Sequence, residues 1–552
     1  MFRARRAILV ALYVMGTSAA SAALQHEHPV TMAREGMIGR AHFLVSCRGE
    51  QQAFDQATTL LHSFWYEKAE AAFAGIAERD PDCAMAWWGQ ALSLWHPLWP
   101  DRPDNEVLAR GRALLAQAHG ANQQTQQEAA WLGALAAFYA ADGSADYRQR
   151  VLAYERAMAR VHADSPREPE AAAFYALALL ASAQAAPPDI SHARERKAAE
   201  LLNQVLAVHP DHPGALHYLI HAYDSPPLAT YALGAARRYA QIAPAVPHAQ
   251  HMPSHIFTRL GLWDESIASN RGAESAAKHF AAEMHLPGAW DEQLHAMDYL
   301  GYAYLQLARD QDARAVQDEL LAIPVTSPAN FKVAYAYAAI PARYAIERRQ
   351  WREAAELNMH HRDFPWTRFP SAQAITEFAR ALGAARSGDM PRAMRAVKRL
   401  ASLEGTLRES GDTYWATQVE IQRLAAQAWL AHAQGRHSEA LVAMRQAADL
   451  EDASEKRPVT PGPIVPAREL LGDLLLELDR PGEALDAYRV ALTESPNRFN
   501  SLAGALCAAR RSGEQNIARR YAGQLPRATA DSRDRRPTVE LAHDTATRTC
   551  DR

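Results

Sequence analysis

Pro481-Gly-Glu-Ala-Leu-Asp-Ala-Tyr-Arg-Val-Ala-Leu-Thr-Glu-Ser-Pro496 is the stretch that decides the fold. Its small residue Ala484 is followed four residues on by Tyr488, seven on by Ala491 and twelve on by Pro496. Steps of three and four keep residues on one face of a helix, and a proline beyond the last of them cannot continue it. The same offsets recur at Ala69, Phe73, Ile76 and Pro81, and at Ala198, Leu202, Val205 and Pro210. Ala440/Met444/Ala447 and Ala393/Val397/Leu400 match the first three positions. Alanine is abundant throughout and no alternating strand pattern appears, so the chain reads as all-α.

This pattern resembles the tetratricopeptide repeat (TPR) family, whose unit of about 34 residues holds a helix A, a tight turn and a helix B ending near a proline. In that family the small residue lets the two helices approach and the aromatic fills the space behind it. The match covers most of residues 51–525, with degenerate repeats and insertions. It implies a TPR-type α-solenoid, a right-handed superhelix of antiparallel helix pairs, and extends to secreted bacterial TPR proteins with His-bearing helices. The expected layout is a TPR-like region at 51–190, central repeats at 191–325 and further repeats at 326–459. Helices at 101–190 fit the pattern poorly. Thr460-Pro-Gly-Pro-Ile-Val-Pro466 breaks the array before a last repeat and helices at 467–525, and a polar tail, expected to be disordered, fills 526–552.

At 552 residues the chain is too long for one compact core, which again favours an array. Formal net charge is −4 and no face-sized block of Lys or Arg appears, so no nucleic-acid partner is expected. Arg3, Arg5 and Arg6 precede a short apolar run at 7–15, and Ala20-Ser-Ala22 supplies small residues for cleavage. Residues 1–22 therefore read as a secretory signal, with 23–50 as an N-terminal segment. The mature protein is expected in the periplasm or outside the cell, with no membrane span after cleavage. Export permits disulfides. Of the three connectivities four cysteines allow, Cys47–Cys83 and Cys507–Cys550 are expected, because each pair lies near one end of the array.

The histidines are what a scaffold does not explain. His217 and His221 in Leu216-His-Tyr-Leu-Ile-His-Ala-Tyr-Asp224, and His251 and His255 in Pro247-His-Ala-Gln-His-Met-Pro-Ser-His255, are spaced to share one helix face. His248 and, in Leu294-His-Ala-Met-Asp298, His295 join them, so six of 23 histidines fall in these three short stretches. The TPR resemblance implies that helix A lines a concave groove through the second, fifth, ninth, twelfth and thirteenth positions of each repeat. Units beginning at Pro213, Pro247 and Leu294 place His217, His221 and Asp224 fifth, ninth and twelfth. In the second unit His248, His251 and His255 fall second, fifth and ninth, and in the third His295 and Asp298 fall second and fifth. His62 and His96 fall thirteenth in two far earlier units.

Imidazoles from neighbouring helices, with carboxylates and no thiolate, suit Zn, Cu, Fe or Ni and do not suit Ca or Mg. His217, His221, His251 and His255 are the core candidate ligands, with His248, His295, Asp224 and Asp298 as alternates or as acceptors that orient ring N–H groups. The plain alternative is a set of hydrogen-bonded core or groove residues. Between the two stands a groove for a protein or peptide whose charge rises as pH falls. No HExxH, nucleophile elbow or phosphate-cradling glycine loop is present, so a metalloenzyme with oxidative or hydrolytic chemistry is the further alternative and carries no familiar signature.

Overall fold

Apolar residues at helical spacing, bounded by capping residues and prolines, become helices from Gln51–His62 to Gln515–Gln524. The computed structural model describes residues 37–99, 102–122, 124–139, 146–187, 189–454, 459–525 and 536. The boundaries follow local chemistry. Pro169, Pro213, Pro247, Pro370 and Pro481 sit in the first helical turn, where a missing N–H costs nothing. Asp104, Asp389 and Asp412 accept backbone N–H groups that the first turn leaves unpaired.

Most helices pack chiefly against their neighbours in chain order, as stacked helix pairs require. The motif residues do what their spacing demands. Ala69, Ala198, Ala393, Ala440 and Ala484 are completely buried. The Tyr488 ring lies so close to Gly504 that a Cβ there would come within 2.2 Å of it. Strand is confined, among the described residues, to a two-residue parallel pairing of Ala289–Trp290 with Thr326–Ser327. The chain is an all-α solenoid of TPR type.

The array curls back on itself at both ends. The His62 carbonyl meets His217 across 155 residues of chain. Near the other end, Arg498 is buried between Glu347, 2.6 Å away, and Glu469, 2.7 Å away, and also donates to the Tyr302 hydroxyl. Cys47 and Cys83 form the expected disulfide. Cys507 is buried, and Cys550 lies outside the described residues, as do the signal-like segment 1–22 and residues 526–552 except Arg536. Arg536 is itself buried against Asp310. No helix among the described residues is long and apolar enough to cross a membrane.

Candidate metal centre

Three consecutive first helices of repeats carry the six histidines. They are Pro213–Ala222, the pair Pro247–His251 and Pro253–Arg259, and Asp291–Gln306. The middle helix is broken because Pro253 has no N–H for the carbonyl four residues back. His251 and His255 nevertheless stay on one face. Their Nε2 atoms are 3.0 Å apart, and those of His217 and His221 are 3.1 Å apart.

The imidazoles gather into two trios. Ligand atoms of His217, His221 and His248 lie within 4.8 Å of one another, and so do those of His251, His255 and His295. His217, His251, His255 and His295 are buried, and His221 and His248 are half-buried. The expectation that these rings line an open groove is therefore corrected. The curl of the array brings Phe64, on the turn after the first helix, over the first trio, with ring centroids 4.4 Å from His217, 5.7 Å from His221 and 5.6 Å from His248.

Hydrogen bonds behind the rings fix where their lone pairs face. His217 Nδ1 donates to the His62 carbonyl at 2.7 Å, an acceptor that admits no other polarity. Asn270 Nδ2 donates to the Ser266 carbonyl, which leaves Asn270 Oδ1 to accept from His251 Nδ1 at 2.7 Å. His255 Nδ1 donates to Asp224 Oδ2 at 2.9 Å, and Arg259 holds the other oxygen of that carboxylate at 2.8 Å. With one proton on each ring, held at Nδ1, His251 and His255 would turn two Nε2 lone pairs toward each other across 3.0 Å. The Tyr299 hydroxyl stands 3.4 Å from His255 Nε2. His248 has, among the described residues, no hydrogen-bond partner on either ring nitrogen, and its Nδ1 lies 3.9 Å from Glu292.

Burial pushes His217, His221, His251 and His295 well below the usual imidazole value, and neighbouring imidazoles push all four the same way, against Glu292 in the case of His295. These four rings are neutral bases, the form that binds a metal.

The two carboxylates sort differently from the imidazoles. Asp224 and Asp298 were candidates for ligation, and neither belongs to a trio. Asp224 instead pairs with His255 and Arg259, one carboxylate oxygen to each. Asp298 is engaged by the buried Arg343 guanidinium.

His62, far from the cluster along the chain, forms a third buried group with Glu170 and His212. Here every ring nitrogen has a partner. His62 bonds Glu170 at 2.7 Å and the Tyr218 hydroxyl at 3.0 Å, while His212 bonds Glu170 at 3.1 Å and accepts from the Ala215 N–H. Burial raises the Glu170 carboxyl, and the two imidazoles more than reverse that. This group is a closed clasp that holds the His62 carbonyl against His217. His96 stacks on Tyr66 at 4.2 Å, and burial lowers it to about 4.

A small pocket of about 50 Å³ reaches both trios. His221, His248, His255 and His295 form its polar wall, and Leu98, Trp99, Met252, Phe331 and Val459 its apolar one. Lys332 lies at its side, 2.8 Å from Asp291 and 2.5 Å from Glu292, with Trp99 beneath its ammonium. Sequence reasoning missed Asn270, Glu292 and Lys332. Glu292 stands three residues before His295 and so shares its helix face, a signal that was present. Asn270 and Lys332 lie on helices with no histidine near them.

No family model matches the chain, and no curated protein matches it. Solved structures similar to it include the TPR domain of P58(IPK), at 12% identity over 84% of this chain and 98% of that one, with a TM-score of 0.20. Yeast Tom70 is similar at 12% identity over 84% and 96%, with a TM-score of 0.32. Naa15/Naa10 bound to HypK-THB is similar at 14% identity over 89% and 90%, with a TM-score of 0.20. Likenesses this weak say nothing of function, and the fold rests on the helix pairing itself.

Proposed function

We propose that this protein is a helical-repeat scaffold built around a buried, all-imidazole centre for a transition metal. The observation that carries it is the His251–His255 pair, whose Nε2 lone pairs face each other at 3.0 Å while both Nδ1–H groups are committed elsewhere. Bound to one ion at about 2.0–2.1 Å each, two such nitrogens stand about 3 Å apart when the angle between the bonds is near a right angle. The metal-free alternative is a proton on His255. That would bury an imidazolium beside Arg259 on an already matched carboxylate, among five other imidazoles, and burial of such a charge is costly.

Six imidazoles without thiolate or carboxylate suit zinc, copper or iron. The ring orientation by a carbonyl, an amide and a carboxylate is what metal-ligating histidines have behind them. A peptide groove sensitive to pH fits less well, since Phe64 and the buried setting keep these rings from lining an open surface. A protein partner on the outer faces is compatible with the centre. Any catalysis would act on a small molecule in the adjoining pocket, with the metal as Lewis acid or redox ion.

The test is elemental analysis of tag-free protein purified without chelator, beside a His217→Ala/His251→Ala double variant of matched circular dichroism. Near-stoichiometric zinc, copper or iron in the parent and none in the variant is expected. Absence from the parent, even after incubation with each metal, would leave the scaffold alone.

A further inference from the structure

The two trios are the same construction made twice. His217 and His221 are fifth and ninth in their repeat, and His248 is second in the next. His251 and His255 are fifth and ninth in that next repeat, and His295 is second in the one after. Each member of the helical pair is separated from its counterpart by 34 positions, one repeat, as residues 217 to 251 and 221 to 255 show. The step from His248 to His295 is longer because the intervening helix Trp263–Glu283 runs to 21 residues.

The geometry repeats with the sequence. Each helical pair brings Nε2 to Nε2, at 3.1 Å in one trio and 3.0 Å in the other. In both pairs the fifth-position ring donates from Nδ1 to an acceptor 2.7 Å away, the His62 carbonyl in one case and Asn270 in the other. The third ring then closes the set from the following helix, with centroids 5.0 Å apart for His217–His248 and 4.3 Å for His251–His295. The equivalent rings His221 and His255 are 6.3 Å apart, which is the local step from one trio to the other.

From this we propose that the solenoid holds two transition-metal ions in adjacent three-imidazole sites related by one repeat. The proposal rests on the metal-centre reading and sets its number and layout. A single ion served by all six rings would need their nitrogens on one sphere of about 2 Å radius. The close sets instead contain three residues each. Three protein ligands leave an open position at each ion, as catalytic zinc sites do. Both open on the shared pocket, since His221 and His248 line it from one trio and His255 and His295 from the other. The repeat beginning at Leu294 supplies Asp298 and Tyr302 at its fifth and ninth positions, and the series stops there.

Metal-free full-length protein is loaded with excess Zn(II), desalted, and its zinc counted per chain. Two ions are expected in the parent. One is expected in His248→Ala, one in His295→Ala and none tightly held in the double variant, with His221→Gln as a second probe of the first site. One ion in the parent, lost in either single variant, would overturn the two-site layout and keep a metal centre. No zinc in the parent, nor copper under the same protocol, would overturn both. Circular dichroism of each metal-free variant must match the parent for its count to be read.

Discussion

Asn270→Leu separates a metal centre from a merely hydrogen-bonded core. Asn270 is completely buried, its Oδ1 accepts from His251 Nδ1 at 2.7 Å, and its Nδ2 is tied to the Ser266 carbonyl at 2.8 Å. Leucine keeps the volume and removes the acceptor. In the metal-free protein the His251 proton can then move to Nε2 and be donated to His255 Nε2, 3.0 Å away. The lost bond is replaced, so metal-free stability should change by less than about 1 kcal/mol. The same proton now occupies the lone pair a metal needs. Loss of an orienting partner typically lowers metal affinity 10–100-fold, about 1.4–2.7 kcal/mol. Competition against a chromophoric chelator at pH 7 measures the affinity, and urea denaturation of metal-free protein measures the stability. Unchanged affinity together with a stability loss of 2–3 kcal/mol would refute the reasoning and make Asn270 a structural acceptor only.

Three further outcomes follow from the same geometry. His248→Ala removes a ring with no hydrogen-bond partner, so it should cost the metal-free protein less than about 1 kcal/mol while abolishing part of the stabilisation by added metal, about 2.7 kcal/mol for a site at 100 times its Kd; thermal melts with and without metal check both. Gly214→Ala would place a Cβ 2.2 Å from His62 Nδ1, costing about 1–3 kcal/mol and weakening metal at the first trio by displacing the carbonyl that orients His217. Because burial holds His217, His221, His251 and His295 well below 6.5, the unfolded chain binds more protons than the folded one as pH drops below 6.5. Metal-free stability should therefore be full above that value and fall below it, by up to about 1.4 kcal/mol per pH unit for each ring that stays neutral, which urea midpoints at pH 7, 6 and 5 would show.

The fold was legible because its signal is local and repeated. Ala484 and Tyr488 announce a helix pair wherever their spacing recurs, and every motif alanine of that kind is buried. The candidate site was legible in part for the same reason, since His217/His221 and His251/His255 carry the helical period in the sequence itself. What the sequence withheld depends on long-range curvature. Nothing near His62 says that its carbonyl will meet His217, or that Phe64 will cover the first trio, because those contacts arise from the way successive repeats turn. Asp224 shows a subtler gap. Its register placed it beside the cluster, but nothing in that register says that Arg259 holds one of its carboxylate oxygens.

Anomalous diffraction at the absorption edge of the loaded metal tests the central claim most directly, because it locates the ion as well as detecting it. Peaks enclosed by Nε2 of His251 and His255, and by the His217 trio, at about 2.0–2.1 Å from nitrogen are the predicted result. Metal found only at other histidines, such as His26 and His28 in Gln25-His-Glu-His, with the six central rings bare, would contradict it.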